Sequence, residues 1–417
     1  MKTIKSIIKN IAKRNEFTRR IGRKVLRETG SSKYSKLAEK IPVDPKLVVF
    51  ESYMGRQYAC TPKAVYEEMI KDPYFDDYKF VWFFKDPKKY TDVDSLKRAN
   101  LVEYGKKEYL ASYAKAGYAV TNSNILDIVR KKENQIFIQT WHGTPLKRLR
   151  CDIINEGGSA VNSLREIREK NDIDIVRYDY FLSPSKFASE KFTSAFNLKN
   201  LGMEDIILEI GYPRNDFLFN YTKEDVAAIK NRLGLGESNK KLILYAPTFR
   251  DNQHDLDKGY VYQLDVDFAR LKETLGDDYI ILFRPHYFIA NQFDFGAYKG
   301  FVVNVADIDD INELYIISDM LITDYSSVFF DYANLKRPIL FYMHDLEEYD
   351  KQIRGFYLSL ETLPRKILRT EEELISEIKN EEFVYDKRYE EFSNRFNSLD
   401  DGQAAKRLVR MCFKGEK

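Results

Sequence analysis

Two of the four histidines in this chain of 417 residues directly follow short apolar runs that are typical of buried strands. His142 lies in Gln139-Thr-Trp-His-Gly-Thr-Pro-Leu-Lys147, and His286 lies in Phe283-Arg-Pro-His-Tyr287 beside the cation of Arg284. An imidazole with an ordinary pKa of about 6.5 is the natural proton carrier at neutral pH. The pair therefore predicts acid–base catalysis from two sides of a cleft, with a partly buried structural ring as the alternative for each.

Another strand end carries hydroxyl groups and an acidic side chain. The run Leu321-Ile-Thr-Asp-Tyr-Ser-Ser-Val328 passes from an apolar strand into a helical pattern, so Ser326 or Ser327 begins a helix. Serine hydroxyls and free backbone N–H groups at such a point bind phosphate, and simple helix capping is the alternative. Asp324 would either bind a ribose or alditol hydroxyl or orient the turn.

A further strand end, Tyr245-Ala-Pro-Thr-Phe-Arg250, supplies Thr248 and an arginine. The guanidinium of Arg250 is permanently charged and bidentate, which favours phosphate as its partner; a surface ion pair is the alternative. By contrast, His254 lies in a polar run that predicts a surface loop. Asp307-Ile-Asp-Asp310 precedes a helical pattern, which predicts a helix N-cap rather than a metal site.

Parallel sheets must position these strand ends, because short apolar strands alternate with polar helical stretches from Lys46 onward. A glycine-rich break at 234–241 divides the pattern into two α/β units, which predicts two Rossmann-like domains, 31–225 and 226–417, facing across a cleft. Ligands in such folds bind beyond the carboxyl ends of the strands. The predicted strands are Leu47–Glu51, Phe80–Phe84, Tyr118–Thr121, Ile136–Thr140, Tyr180–Ser183 and Ile207–Ile210, then Leu242–Ala246, Ile280–Arg284, Phe301–Val303, Met320–Thr323 and Ile339–Tyr342.

Residues 1–30 differ from the rest of the chain in charge. They hold ten Lys or Arg against two Glu, a net charge of +8, whereas the whole chain carries +2, so the remaining 387 residues carry −6. Ile4, Ile7, Ile8 and Ile11 form one stripe of a helix that has lysines on its other side. This basic amphipathic helix predicts peripheral association with an anionic membrane, on the cytoplasmic face of the plasma membrane. A helix packed on the protein's own body and an RNA-binding arm are the alternatives.

Several classes of protein are disfavoured by what the sequence lacks. Its longest apolar runs, such as Phe80–Phe84, are far shorter than the roughly 18–20 residues that span a bilayer. Three widely spaced cysteines fit neither a disulfide framework nor a metal site, and they favour a reducing compartment. The sequence contains no Walker, dinucleotide-binding or zincin motif.

Four motif blocks, in this order, together resemble the CDP-glycerol glycerophosphotransferase family, which includes teichoic acid primases and polymerases and related capsule polymerases. The blocks are Trp141-His-Gly-Thr-Pro145, Tyr245-Ala-Pro-Thr-Phe-Arg250, Arg284-Pro-His286 and Ile322-Thr-Asp-Tyr-Ser-Ser327 with Arg354-Gly355; Glu51-Ser-Tyr-Met-Gly-Arg-Gln-Tyr58 is similar to the family's first block. The chain departs from the pattern near Arg150, where we expect glycine, and after Tyr357, where an acidic residue is missing. The second departure leaves the donor alditol, glycerol or ribitol, open.

The resemblance implies a GT-B fold, no metal or other cofactor, and two essential histidines, His142 and His286. We expect the second domain to bind a CDP-alditol and the first to meet a lipid-linked acceptor. The expected donor-binding residues are Thr248, Arg250, Arg284, Asp324, Ser326, Ser327 and Arg354, and the expected acceptor-side residues are Gly55, Arg56, Gly143, Thr144 and Lys147.

The expected reaction is in-line transfer of glycerol phosphate from CDP-glycerol, or ribitol phosphate from CDP-ribitol, to an acceptor hydroxyl with release of CMP. His142 would take the hydroxyl proton, and basic groups around His286 would stabilise the leaving phosphate in place of Mg²⁺. A GT-B glycosyltransferase that uses a nucleotide sugar and a non-enzymatic membrane scaffold are the alternative functions. No nucleic-acid partner is expected, and a primase and a polymerase are equally compatible with the sequence.

Overall fold

The computed structural model describes residues 16–154, 162–236, 238–248, 264–285, 295–352, 355–380 and 382–416, and the backbone of 254–255 and 259–260. The predictions for His286, Arg250 and Arg354 lie outside the described residues, as does the first half of the basic segment, residues 1–15. The described chain forms two parallel sheets with helices on both faces, which confirms the predicted α/β class.

The first sheet has seven parallel strands in the order β3-β2-β1-β4-β5-β6-β7. Apolar and β-branched side chains dominate these strands because both faces of a parallel sheet are covered. The prediction missed β3, whose sequence Ala-Asn-Leu-Val-Glu is half polar and lies at the sheet edge. The strands are β1 Asp44–Glu51, β2 Lys79–Phe84, β3 Ala99–Glu103, β4 Ala116–Thr121, β5 Ile136–Gln139, β6 Tyr180–Ser183 and β7 Ile207–Glu209.

The second sheet has six parallel strands in the order β12-β11-β8-β13-β14-β15. A separate two-stranded hairpin pairs β9 with β10, so the backbone of His254 lies in a short antiparallel pair and not in the predicted loop. The strands are β8 Lys241–Ala246, β9 His254–Asp255, β10 Gly259–Tyr260, β11 Tyr279–Phe283, β12 Val302–Asn304, β13 Met320–Thr323, β14 Ile339–Tyr342 and β15 Ile367–Leu368.

Both sheets begin at a central strand, grow outwards on one side and then cross to the other side. The crevice at such a switch point is where ligands bind in open α/β sheets. It lies between β1 and β4 in the first sheet, where Glu51 pairs with Thr121, and between β8 and β13 in the second, where Ala246 pairs with Thr323. The fold therefore turns two sets of strand-end loops towards one cleft.

Fifteen α-helices in the described part of the chain cover the sheets. Several begin at a side chain that caps the first turn, as Ser163 and Thr222 do in capping boxes. The helices are α1 Glu16–Ala38, α2 Cys60–Met69, α3 Lys107–Lys115, α4 Leu164–Ile175, α5 Lys186–Ala195, α6 Leu198–Leu201, α7 Phe217–Asn220, α8 Lys223–Arg232, α9 Phe268–Leu275, α10 Ile311–Ile317, α11 Val328–Tyr332, α12 Leu346–Gln352, α13 Glu371–Lys379, α14 Lys387–Phe396 and α15 Ala404–Phe413.

The last helix, α15, returns to the first sheet. Leu408 and Phe413 are buried with Phe50 and Trp82 in the core on one face of that sheet. Asp216, in the segment that links the two sheets, accepts hydrogen bonds from the N–H groups of residues 404 and 405 at the start of α15. The chain thus crosses between the domains twice, which ties the end of the molecule to its first domain.

Helix α1 packs on the body of the first domain by one face and exposes apolar side chains on another. Arg19 forms an ion pair with Glu166 of α4 at 2.5 Å, and Tyr34 is buried near the helix end. Phe17 and Leu26 remain 67% and 74% exposed. The described half of the basic segment therefore combines body packing with an exposed apolar surface. Within the described residues, no helix has both the length and the apolar character needed to cross a bilayer.

Candidate active site

The strand-end loops of the two domains enclose a cavity of about 530 Å³ in the cleft, and a second cavity of about 490 Å³ adjoins it. Three predicted site residues line both cavities: His142 from the first domain and Arg284 and Ser327 from the second. These three side chains mark the point where the two cavities meet.

His142 reaches the cleft because the chain turns sharply after β5. Trp141 has φ +50°, a left-handed conformation that is unusual for a bulky residue and is typical of strained functional sites. Its amide donates to Oε1 of Gln139 at 3.0 Å, and its indole stacks on the His142 ring with centroids 4.4 Å apart. The turn thus directs the imidazole out of the sheet and into the cleft.

The hydrogen bond at Nδ1 fixes the tautomer of His142. Nδ1 lies 2.7 Å from the backbone carbonyl oxygen of Asn122, and a carbonyl can only accept, so Nδ1 carries the proton. Burial lowers the pKa of His142 to about 4, and the cations of Arg214 and Arg150 lower it further, against the effect of the Asn122 bond. The ring is therefore neutral at pH 7, with Nε2 available as a proton acceptor.

The two domains come into close contact beside this ring. A Cβ built on Gly143 would lie 3.0 Å from Oγ of Ser327, a distance that side chains rarely adopt. Ser327 occupies the N-cap position of α11, as predicted, but its side chain makes no capping hydrogen bond. The capping alternative therefore does not explain this hydroxyl, which lies at the junction of the two cavities.

The predicted donor-side residues lie at neighbouring strand ends of the second sheet. Arg284 follows β11, and its Nη1 donates to the carbonyls of Val305 and Ile308 at 3.1 and 2.7 Å. Asp324 accepts from the amide of Thr248 at 2.8 Å and so ties the end of β13 to the end of β8. This contact supports the turn-orienting interpretation of Asp324. Ser326 is half-buried and lines the larger cavity with Thr248.

The predicted acceptor-side residues divide between the two cavities. Arg56 lines the smaller cavity, following Gly55 in a left-handed turn (φ +75°) after β1. Thr144 and Lys147 line the larger cavity. Lys147 faces the second domain, because its Nζ donates to the hydroxyl of Tyr349 at 3.2 Å. It therefore lies at the domain interface as well as beside the acceptor-side loop.

Arg150 adopts the left-handed conformation, with φ +45°, close to the point where the family pattern predicts glycine. Its Nη2 donates to Oδ1 of Asn124 at 2.6 Å, and its guanidinium lies 6.0 Å from the Trp141 ring centroid. Glycine adopts this left-handed backbone conformation without strain. In this chain an arginine adopts it and adds a cation near His142.

The acidic loop before α10 contacts the first domain. Asp310 caps α10 through the amide of Asn312, as predicted, and also lies 2.9 Å from Nζ of Lys63. Asp309 accepts hydrogen bonds from the amide of Tyr58 at 3.0 Å and the hydroxyl of Tyr90 at 2.6 Å. These carboxylates thus join the two domains.

Three residues of the site were not singled out from the sequence. Asn122 fixes the His142 tautomer through its carbonyl and holds the amide of Tyr53 through Oδ1 at 2.8 Å. The Tyr53 ring contacts the imidazole edge-on at 5.8 Å. Arg214 donates to the backbone carbonyl of His142. Only the strand-end position of Asn122 after β4 could have indicated its role.

Two parallel sheets that each grow outwards from a central strand open into one cleft, with a histidine on one side and cationic and hydroxyl groups on the other; this arrangement defines a GT-B fold. The wall teichoic acid polymerase TagF, solved as a histidine-to-asparagine variant with CDPG, superposes with a TM-score of 0.83. It is 38% identical in sequence, and the match covers 97% of this chain and 98% of that one.

The family profile described as CDP-Glycerol:Poly(glycerophosphate) glycerophosphotransferase matches residues 33–414, and the chain belongs to this family. A teichoic acid poly(glycerol phosphate) polymerase of Staphylococcus epidermidis is 40% identical over 89% of this chain, which spans only 51% of that protein. A teichoic acid glycerol-phosphate transferase of Staphylococcus aureus is 35% identical, with 91% and 95% of the two chains covered. A ribitol-phosphate primase of Bacillus spizizenii matches at 29% identity.

Proposed function

We propose that this chain transfers glycerol phosphate from CDP-glycerol to a hydroxyl group of a lipid-linked acceptor, in the synthesis of a teichoic acid or capsule-type polymer. The observation that carries the proposal is the junction of the two cavities, where His142 meets Arg284 and Ser327. Relatives named for glycerol phosphate are 35–40% identical to this chain, and the ribitol-phosphate primase is 29% identical, which favours glycerol over ribitol as the alditol.

The positions of these groups support the following reaction. The acceptor oxygen attacks the phosphorus that carries glycerol, a new P–O bond forms, and the proton passes to Nε2 of His142. The bond from that phosphorus to the bridging oxygen of the pyrophosphate breaks, and CMP leaves with the electron pair. Arg284 and Ser327 would stabilise the negative charge that develops on the phosphate oxygens. His286, Arg250 and Arg354 would complete this cationic and polar cradle.

Arg284 suits this task because its hydrogen-bond partners within the described residues are neutral. Its guanidinium is held by two backbone carbonyls, which orient it without neutralising its charge. Burial lowers the pKa of Arg284, although the group stays protonated at pH 7. In a cleft that is partly shielded from water, a charged hydrogen-bond donor interacts strongly with a phosphate oxygen.

The central test is CMP release from CDP-glycerol with a synthetic lipid-linked acceptor. His142→Asn should lower turnover by about 10²–10⁴-fold, which is the range for loss of a positioned general base. His344→Asn is the matched control, because His344 is an exposed histidine whose Nε2 lies 3.6 Å from Asp265, and it lines neither cavity. Near-normal turnover in His142→Asn would contradict the role of the ring. Release of a nucleoside diphosphate with a glycoside product would instead identify a glycosyltransferase.

We further propose that α1 brings the enzyme to the cytoplasmic face of an anionic membrane, where a lipid-linked acceptor would be found. Phe17, Ile21, Val25 and Leu26 are all exposed on this helix among basic side chains, a pattern typical of helices that lie in the headgroup layer. Three of its arginines are engaged with α4, so the helix is anchored to the catalytic body while its apolar side chains face outwards.

A vesicle assay tests this attachment. The double variant Phe17→Ser with Leu26→Ser should bind phosphatidylglycerol vesicles at least tenfold more weakly, because each large apolar side chain contributes about 1.5–3 kcal/mol when buried. Val384→Ser removes a side chain of similar exposure, 64%, from the second domain and should leave binding unchanged. Equal binding by the double variant and the wild type would contradict membrane attachment through α1.

A further inference from the structure

A buried polar cluster occupies the segment that links the two domains. Arg214 and Asp331 are 6% and 3% exposed, and Nη2 of the arginine lies 3.1 Å from Oδ2 of the aspartate. Nη1 of Arg214 donates to the backbone carbonyl of His142. The backbone carbonyl of Arg214 accepts from the side-chain amide of Asn312, so the arginine is held at both its backbone and its side chain. This one guanidinium therefore contacts the first domain and the second at once.

The partners of Arg214 connect the two halves of the cleft. Asp331 lies on α11, four residues after Ser327, which places it one helical turn from the hydroxyl at the cavity junction. The side-chain amide of Asn215 donates to Oδ1 of Asp331 at 3.0 Å and to Asp400 at 2.7 Å, so the aspartate is itself fixed. A continuous path of polar contacts thus runs from the backbone of His142 through Arg214 to the helix that follows Ser327.

We propose that Arg214, oriented by Asp331, is a positioning residue that fixes the backbone of His142 and so sets the ring against the donor-binding helix. The inference rests on the function proposed above. Two nitrogens of one guanidinium group must contact two different partners at the same time, which the planar guanidinium of arginine allows and the single ammonium group of lysine does not. A buried ion pair stabilises a fold only weakly compared with apolar side chains, so stability alone does not account for this pair.

The charge of Arg214 also acts on the ring that it positions. Burial is the main cause of the low pKa of His142, and the cations of Arg214 and Arg150 add to it. Replacing Arg214 by a neutral residue should therefore raise the pKa of the ring. The other ionisable groups of the described chain that face the ring across the smaller cavity are Tyr53, Arg56, Cys60, Lys89, Arg284, Asp307, Asp309, Asp310 and Asp331.

Two substitutions separate positioning from charge. Arg214→Lys keeps the cation but cannot contact both partners, so kcat should fall about 10²-fold, which is the loss typical of a misplaced group. The pH at which kcat/KM declines on the acid side should stay the same as in the wild type. Arg214→Gln should show a similar fall in kcat together with an acid limb at higher pH. Both changes should appear in kcat more than in the KM for CDP-glycerol, because neither removes a group that touches the donor.

The matched control is Arg337→Lys. Arg337 is a partly buried arginine whose Nη1 donates to the carbonyls of Tyr315, Ile316 and Ser318, and it lines neither cavity. Its replacement should lower the melting temperature and leave kcat within twofold of the wild type. Asp331→Asn provides a milder second variant, because the amide oxygen can still accept from Arg214; we expect kcat about tenfold below the wild type.

A readout that does not depend on turnover keeps the positioning role separate from the proposed reaction. The protein has four histidines, so ¹⁵N-histidine spectra of the wild type and His142→Asn identify the His142 ring. In Arg214→Gln the ring should titrate at higher pH than in the wild type, whether or not CDP-glycerol is the donor. An Arg214→Lys variant with kcat within twofold of the wild type, or an unchanged ring titration in Arg214→Gln, would overturn the inference.

Discussion

At the scale of single residues, the chain sets both the tautomer and the charge of His142. The carbonyl of Asn122 keeps the proton on Nδ1, and burial with two nearby cations keeps the ring neutral. The proposed general base acts in its neutral form, so a His142 pKa of about 4 in place of about 6.5 should keep the enzyme active to lower pH. We expect kcat/KM at pH 5.5 to equal that at pH 7.5 within twofold.

An unperturbed histidine at this position would behave differently. With an ordinary pKa of about 6.5, roughly nine-tenths of the ring would be protonated at pH 5.5, and kcat/KM would be roughly tenfold lower than at pH 7.5. Circular dichroism at both pH values is the control for folding. A tenfold fall in kcat/KM with an unchanged spectrum would show that the ring is not held in a desolvated site.

Gly143 carries a second prediction at this scale. In Gly143→Ala the new Cβ would lie 3.0 Å from Oγ of Ser327, so the hydroxyl or the loop must move by a few tenths of an ångström. Overpacking of this kind costs about 1–3 kcal/mol, and we expect turnover to fall about tenfold or more. The double variant with Ser327→Ala removes the clashing atom, so its loss should be smaller than the sum of the two single losses in kcal/mol.

The control for this substitution is another glycine in open space. A Cβ on Gly22, in α1, would meet no atom within 4 Å, so Gly22→Ala should leave turnover unchanged. Strict additivity of the Gly143→Ala and Ser327→Ala losses would mean that the two residues do not touch during turnover. In that case the close approach of the domains would not belong to the active arrangement.

At the scale of elements, the strands that carry the site follow from local sequence, and their partners do not. Met320–Thr323 and Ile339–Tyr342 coincide with the observed strands, because each is a compact apolar run with clear ends. The edge strands β3 and β15 were missed, since one is half polar and the other has two residues. The periodicity of apolar residues identifies the buried faces of helices and strands, but it does not identify short strands at the edge of a sheet.

The limits of local sequence patterns also explain which residues of the candidate site could be identified from the sequence. His142 and Ser327 combine a reactive side chain with a strand end, so their types and positions indicate chemistry. Asn122 acts on the ring through its backbone carbonyl, which every residue type possesses. Arg214 lies in a linking segment without periodicity and meets its partners only when the two domains face each other. Contacts of this kind depend on tertiary structure.

The loop before α10 gives the prediction at the scale of elements. Asp309 is the acceptor for the amide of Tyr58, the hydroxyl of Tyr90 and the ammonium group of Lys89, all from the first domain. Asp309→Ala should loosen this contact, and the Tyr58 amide should exchange with deuterium about tenfold faster, since a hydrogen bond to a charged group contributes about 1.5–3 kcal/mol.

The neighbouring Asp307→Ala is the control for this measurement. It removes an exposed carboxylate from the same loop, and the Tyr58 amide has no hydrogen bond to it. Exchange at Tyr58 should match the wild type in this variant. Equal exchange in Asp309→Ala and the wild type would mean that the loop does not hold the domains together in solution.

At the scale of the whole molecule, charge is segregated between a basic N-terminal segment and a mildly acidic body, and several acidic groups of that body are buried. Burial raises the pKa of Glu51 to about 7 and that of Asp216 to about 7. Glu51 ends β1 beneath the loop that carries Tyr53, and its Oε2 accepts from the hydroxyls of Tyr109 and Tyr113 at 3.0 and 3.1 Å. Its Oε1 has no partner in the described part of the chain.

The raised pKa of Glu51 makes the stability of the fold depend on pH in a definite direction. The folded protein holds this proton up to about pH 7, whereas the unfolded chain releases it near the ordinary pKa of 4.5. Between these values the folded protein binds more protons, so the contribution of Glu51 to the free energy of unfolding falls as pH rises. His142 contributes the opposite slope, because its pKa is lowered to about 4 and its stabilising effect is lost as pH falls below about 6.5.

Glu51→Gln isolates the first of these slopes, because glutamine cannot titrate. Between pH 5 and pH 8, the stability advantage of the wild type over Glu51→Gln should shrink by about 2–3 kcal/mol, measured as the free energy of unfolding by urea at each pH. The exposed Glu39→Gln should show the same difference from the wild type at both pH values. If the free energy of unfolding of Glu51→Gln differs from that of the wild type by the same amount at both pH values, the Glu51 carboxyl group is ionised and solvated in the folded protein. The end of β1 would then be exposed to water, and the loop that carries Tyr53 would not pack on a core from which water is excluded.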